Sequence, residues 1–223
     1  MLLPLNDVLS ADEVRAVRAQ LASLSFVEGA KTAGAGSRNR KNNVQLSDTD
    51  PRTGGVRALV RDALARHQVF QFLALPQRIM PPMFNRYDEG MYYGDHVDFP
   101  LLGSAPPLRA DLSVTLFLSA PDEYDGGELV VCTGYGDHAI KLPAGAAIVY
   151  PAYYIHRVEP VRRGSRWAAI TTVQSAIRDE SRRDLVADLV RLVRWVQDVA
   201  PESEEARLAN KIHANLLRLW AET

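Results

Sequence analysis

From about residue 70 to residue 176 the chain reads as a succession of short apolar runs closed by Gly, Pro or Asp. They are QRIMPPMFNRY, DLSVTLFLS, GELVVCT, HAIKLP, GAAIVYP, YIHRVEPV and WAAITTVQSAI. The alternation of strand and helix that a parallel α/β sheet requires is missing, so this segment predicts an all-β sandwich or barrel. PDEYDGG (121–127) and PAG (143–145) carry the residue types of inter-strand turns.

The flanks read as helical. Residues 8–24 predict an amphipathic helix with Val14, Val17, Leu21 and Leu24 on one side. Ser10 followed by Glu13 reads as its capping box. GAKTAGAGSRNRKNN then predicts a mobile surface connection, or a lid built from residues 28–43 over a site. A second helix is expected from about Gly55 to His67, with His67 as a helix-terminal residue rather than a ligand. Beyond about 178, Leu185, Leu189, Leu192, Val193 and Val196 form one apolar stripe. Pro201 breaks the chain, and Leu208, Ile212, Leu216 and Leu219 form another. This predicts a helical hairpin packed on the barrel or on a second subunit, so a homodimer through the C-terminal helices is one expectation. The division is 1–69 as a helical and loop region, 70–176 as the β domain and 177–223 as a helical extension.

A net charge of -1 argues against nucleic acid or an anionic membrane as partner. The single cysteine, Cys132, excludes an intrachain disulfide and fits a reducing compartment. MLLPLNDVLSADEV lacks a basic leader, and no stretch approaches the roughly 18 apolar residues of a membrane span. A cytoplasmic protein is expected.

Within the β segment stand His96, Val97 and Asp98. Residues i and i+2 of a strand share a face, so an imidazole and a carboxylate emerge together. His156 from a distant strand completes two histidines and one carboxylate. With open positions, that set suits non-haem Fe(II) and oxygen chemistry. Arg166 opens the apolar strand WAAITTV, where its head would alternate inward with Ala168 and Ile170. An inward guanidinium needs an anion, and a dicarboxylate co-substrate provides one. Arg162 and Arg163 compete less well, from a basic turn. Tyr87 is a second candidate for that carboxylate, or else a core aromatic. His138 is expected exposed, Cys132 buried as a small apolar residue, and His213 at a surface or interface. Trp167, Tyr153 and Tyr154 are candidates to line a substrate pocket or the core.

FNRYDEGMYYGDHVD resembles the segment of the prolyl-4-hydroxylase-type oxygenases in which tyrosine, glycine and H-x-D recur in that order. DEYDGGELVV and LPAGAAIVYPAYYIHRVEPVRRGSRWAAITTVQS resemble the same superfamily. The first helix, KNNVQL and the helical tail resemble the bacterial PKHD-type hydroxylases, a subgroup often linked to iron uptake. The resemblance implies a double-stranded β-helix, a jelly roll of cupin-like form. It implies Fe(II) held by His96, Asp98 and His156, with 2-oxoglutarate and O2 as co-substrates and L-ascorbate as an accessory. A small-molecule or peptidyl substrate would be hydroxylated while 2-oxoglutarate yields succinate and CO2. Two other readings belong to other classes. One is a catalytically silent sensor binding metal and 2-oxoglutarate on the same fold. The other is a zinc hydrolase, which would leave Arg166 without a task and lacks a general-base carboxylate beside the triad.

Overall fold

The computed structural model describes residues 2–32, 38–47 and 50–222. Two antiparallel sheets face each other. The larger has eight strands, in the order Leu3–Leu5, Ala147–Pro151, Leu112–Phe117, Arg166–Ser175, Met83–Tyr87, Val44–Leu46 and Phe26–Glu28, with Pro76–Ile79 pairing the far half of Arg166–Ser175. The smaller has five, in the order Gly136–Ile140, Leu129–Thr133, His156–Val158, Tyr92–His96 and Lys41–Asn42. Neighbours far apart in sequence pair in both sheets, and the result is the expected double-stranded β-helix, or jelly roll.

Five helices complete the chain: α1 (Ala11–Ala22), α2 (Thr53–Arg66), α3 (Gln68–Ala74), α4 (Glu180–Val199) and α5 (Glu204–Trp220). The strand Leu112–Phe117 shows how the layers form, because it is buried along its whole length. Val114 and Leu116 join a core with Val17, Leu21, Val56 and Leu64 of the helices. Phe117, from the other face, joins a second core between the sheets with Tyr87, Leu129, Ile148 and Val158. Each fully buried Leu, Val or Phe contributes about 1.5–3 kcal/mol, so packing on both faces fixes the larger sheet in place.

Several expectations change in detail. α1 starts at Ala11 rather than at residue 8, because Asp7 takes a positive φ of 53° and Ser10 caps the helix with Glu13 in the expected capping box. α3 falls where strands were expected to begin. His67 ends α2 and caps α3, its Nδ1 accepting from the Phe70 N–H at 3.3 Å. The segment before residue 69 adds strands to both sheets rather than only helices and loops. Residues 33–37 of the expected loop lie outside the described residues. Around them Gly29–Thr32 and Arg38–Arg40 are 3-10 turns, and Lys41–Asn42 pairs with Tyr92–Tyr93.

The tail is the expected hairpin, but its buried face is different. Val186, Val190 and Val193 pack inward while Leu185 and Leu192 are exposed, and in α5 Ala206 and Ala209 are buried while Leu208, Ile212 and Leu219 are not. Both faces of each helix carry apolar residues, so periodicity alone marks two stripes and cannot choose between them. Among the described residues no helix is long and apolar enough to cross a membrane.

Candidate metal centre

The two histidines meet through strand pairing. His156 lies directly opposite His96, while two residues later Val158 faces Tyr93, three residues before His96. The extra residue is a β-bulge, which turns Tyr93 and His96 to the same face. Their rings stack with centroids 3.6 Å apart, and the His96 and His156 rings lie 4.1 Å apart. Each imidazole is oriented from behind. Nδ1 of His96 donates to the Gly94 carbonyl at 2.9 Å, and Nδ1 of His156 to the Tyr154 carbonyl at 3.0 Å. These bonds assign the ring proton to Nδ1 and leave Nε2 as the available donor atom, an arrangement usual for metal-bound histidine.

Asp98 stands just past the end of its strand, not within it. One carboxylate oxygen accepts from Ser113 Oγ, and the other lies 3.9 Å from His156 Nε2. The three side chains each offer one ligand atom, all within 4.8 Å of one another. Burial, followed by the neighbouring His156, pulls the His96 imidazolium down to about 4, so the ring is neutral near pH 7. Two imidazoles with Nε2 available and a carboxylate, clustered on one side of a cavity, fit a divalent cation that keeps open positions.

That cavity occupies about 640 Å³ between the sheets, and its far wall is formed by the larger sheet. Arg166 pairs with Tyr87, Ala168 with Asn85 and Ile170 with Met83. Opposed residues share a face, so Tyr87, Asn85 and Met83 line the cavity beside Arg166 and Ile170. Arg166 is only 1% exposed, yet its Nε and Nη1 make no hydrogen bond, nor do the buried hydroxyls of Tyr87 and Tyr124. Burial raises the Tyr87 hydroxyl to about 12, so it is a donor at neutral pH. Burial moves the hydroxyls of Tyr150 and Tyr124 upward too. A buried guanidinium with idle N–H groups costs free energy unless an anion meets it. The donor set fits a carboxylate.

The structure brings together all five residues expected at the site. It also places Tyr93, Tyr150, Thr115 and Asn85 in the lining, which sequence reasoning did not single out, and Lys41, which the sequence offers only as the end of a basic run, residues 31–41, suited to an acidic or metal-chelating substrate or equally to solvation. Tyr93 was hidden by the bulge, since strict alternation puts it on the face opposite His96. Trp167 does not line the cavity. It follows Arg166 and so takes the other face, packing edge-on against Phe26 at 5.4 Å. Tyr153 and Tyr154 lie outside the cavity as well, with Tyr153 exposed and hydrogen-bonded to Glu180. His138 is exposed as expected. Cys132 is half-buried rather than buried, and its thiol is held up chiefly by the neighbouring Asp137. His213 is half-buried.

Comparison with known proteins agrees with this geometry. Residues 82–173 match the family described as the 2OG-Fe(II) oxygenase superfamily. A PKHD-type hydroxylase of Paracoccus denitrificans is 42% identical over 227 residues, covering the whole of both chains. A prolyl hydroxylase of Trichoplax adhaerens, solved with a hypoxia inducible factor peptide, superposes with a TM-score of 0.59 at 16% identity, covering 82% of this chain and 86% of that one. HygX of Streptomyces hygroscopicus, solved with nickel, 2-oxoglutarate and hygromycin B, gives 0.54 at 14% identity, covering 78% and 82%. At those identities the two structures speak for the fold alone.

Proposed function

Because this chain belongs to the PKHD-type hydroxylases, within the 2OG-Fe(II) oxygenase superfamily, we propose that His96, Asp98 and His156 hold Fe(II) and that Arg166 and Tyr87 hold 2-oxoglutarate. When bound, the two would supply the activation of O2 and the oxidative decarboxylation that drive C–H hydroxylation, giving succinate and CO2. The chain's own work is placement. The Gly94 and Tyr154 carbonyls fix the imidazole tautomers, and Ser113 holds the Asp98 carboxylate in a single orientation. The guanidinium of Arg166 and the neutral hydroxyl of Tyr87 donate toward the distal carboxylate. The apolar walls at Leu129, Val158 and Ile170 keep water from the reacting centre.

One observation carries this reading: a buried guanidinium with unmatched N–H groups shares a cavity with the triad. The test is anaerobic loading with Fe(II) and 2-oxoglutarate, then oxygen, with succinate measured. Wild type should form succinate, Asp98→Ala should form none above background, and Arg166→Ala should mainly raise the 2-oxoglutarate requirement. Wild type no better than Asp98→Ala sinks the proposal. Tight binding of both ligands without succinate would mark a sensor. Added L-ascorbate should lengthen the linear phase of turnover. The substrate is proposed to be a small molecule or a peptidyl residue in a cytoplasmic, iron-uptake setting, with self-association through the C-terminal hairpin.

A further inference from the structure

Asn85 stands in the cavity wall with a polar atom that neither the proposed iron site nor the proposed 2-oxoglutarate site can satisfy. It is 2% exposed, on the strand Met83–Tyr87. Among the described residues nothing donates to its Oδ1, although that atom is buried. The residue opposite it on the neighbouring strand, Gln45, turns its own Oε1 to Lys41 Nζ at 3.0 Å instead. A buried amide oxygen left without a donor is costly, because it has given up water and gained nothing in exchange.

The position of Asn85 decides what could supply the donor. It lies two residues from Tyr87, roughly 6.6 Å along the strand, and pairs with Ala168 as Tyr87 pairs with Arg166. Burial falls in that direction: Tyr87 and Arg166 are buried, Asn85 and Ala168 are buried, and Met83 and Ile170 are only half-buried. Asn85 therefore stands between the distal end of the co-substrate site and the mouth. A metal cation has no donor, and 2-oxoglutarate offers only acceptors, its carboxylates and its ketone. Both leave Oδ1 unmatched. The surrounding lining at Met83, Ile170, Leu129 and Val158 is apolar, and Val97 and Phe99, also in the lining, are exposed. One neutral acceptor among apolar walls suits a ligand with an apolar body and a neutral donor, since the amide carries no charge to pair with an ammonium.

We propose that Asn85 is a specificity-determining residue that accepts a hydrogen bond from a neutral N–H or O–H group of the substrate, while the apolar body of that substrate lies against Met83, Ile170 and the exposed rim of Val97 and Phe99. This rests on the cavity being the Fe(II)/2-oxoglutarate site, because a co-substrate without donors, held at Arg166 and Tyr87, is what leaves Oδ1 to the substrate.

The test uses the full chain loaded anaerobically with Fe(II) and saturating 2-oxoglutarate, and equilibrium dialysis against two matched pairs of probes. Indole and benzofuran differ by an N–H against a ring oxygen, and indan-2-ol and 2-methylindane by a hydroxyl against a methyl. Wild type should prefer the donor in at least one pair by about tenfold, as expected for one buried hydrogen bond. The pair that shows the preference tells an N–H substrate from an O–H one. Asn85→Leu and Asn85→Ala should each bring that pair within about twofold, and their different volumes separate a lost hydrogen bond from a change of packing. The visible charge-transfer absorbance of chelated 2-oxoglutarate, read in the same samples, should be alike in all three proteins and reports that each is folded and loaded. Equal binding within both pairs by wild type, or failure of wild type to bind any probe, overturns the proposal, as does an undiminished preference in either variant. A fall in 2-oxoglutarate affinity with the probe preference unchanged also overturns it, and assigns the amide to the co-substrate. Absence of the charge-transfer band in wild type would instead count against the proposed function, while the dialysis still reads Asn85.

Discussion

The stem of Arg166 passes close to Gly127, which leaves it room. Gly127 has φ of +64°, and a Cβ there would meet Arg166 Cδ at 3.2 Å, Val161 Cγ2 at 3.0 Å and Tyr124 Cδ2 at 3.2 Å. Gly127→Ala therefore carries a left-handed backbone cost of about 1–2 kcal/mol together with a push on the guanidinium stem. We expect it to lower the melting temperature and weaken 2-oxoglutarate binding together, whereas Arg166→Ala weakens binding alone. Calorimetric titration and thermal melts on both variants check this, and normal 2-oxoglutarate affinity in Gly127→Ala would refute the spatial argument. Arg166 was legible because a charged head at the start of an apolar strand has one inward phase and needs a partner. The DGG of residues 125–127 was legible as a turn, but not as the clearance for that head. Lys41 was legible only as the end of a basic run that suits an acidic substrate and solvation equally, and only pairing to the Tyr92–His96 strand carries it inward.

Between elements, the smaller sheet brings two histidines together and the C-terminal hairpin leaves apolar surface outside. The histidine pairing could be anticipated from chemistry, but the bulge that adds Tyr93 could not, because inserting one residue depends on the partner strand rather than on local sequence. The hairpin shows the converse. Leu185, Leu192, Trp195 and Val199 recur at helical spacing on α4, as do Leu208, Ile212 and Leu219 on α5, and all are exposed. Hydrophobic periodicity identified the helices correctly, yet valines and alanines face the body of the protein while the larger leucines face outward. If those stripes mediate self-association, sedimentation of the wild-type chain should show a concentration-dependent dimer. Leu192→Glu with Trp195→Glu should then give a monomer of unchanged helix content by circular dichroism. A wild type that stays monomeric at high concentration removes the homodimer.

Across the whole molecule the site is a joint between two sheets. His96 and His156 come from the smaller sheet, Arg166 and Tyr87 from the larger, and the Asp98–Ser113 bond links the metal side to the larger sheet. Ligands that grip both walls should therefore stabilise the fold as a unit. At one hundred times the dissociation constant the gain is about 2.7 kcal/mol. For a chain of this size that is a rise in melting temperature on the order of 5–10 °C. The pH dependence follows from His96, whose imidazolium lies at about 4 in the folded protein against an ordinary value of 6.5. As pH falls from about 6.5 toward 4, the unfolded chain takes up this proton before the folded one does, so stability present above pH 6.5 is lost through that window. Metal binding draws on the same neutral ring, and protons compete with it more strongly as the pH drops. Thermal melts of metal-free protein and of protein with redox-inert Mn(II) plus 2-oxoglutarate should thus differ most above about pH 6.5 and converge toward pH 4. In Asp98→Ala the two curves should coincide at every pH. A gap that persists in Asp98→Ala, or widens on acidification, would show that the metal is held somewhere other than between the two sheets.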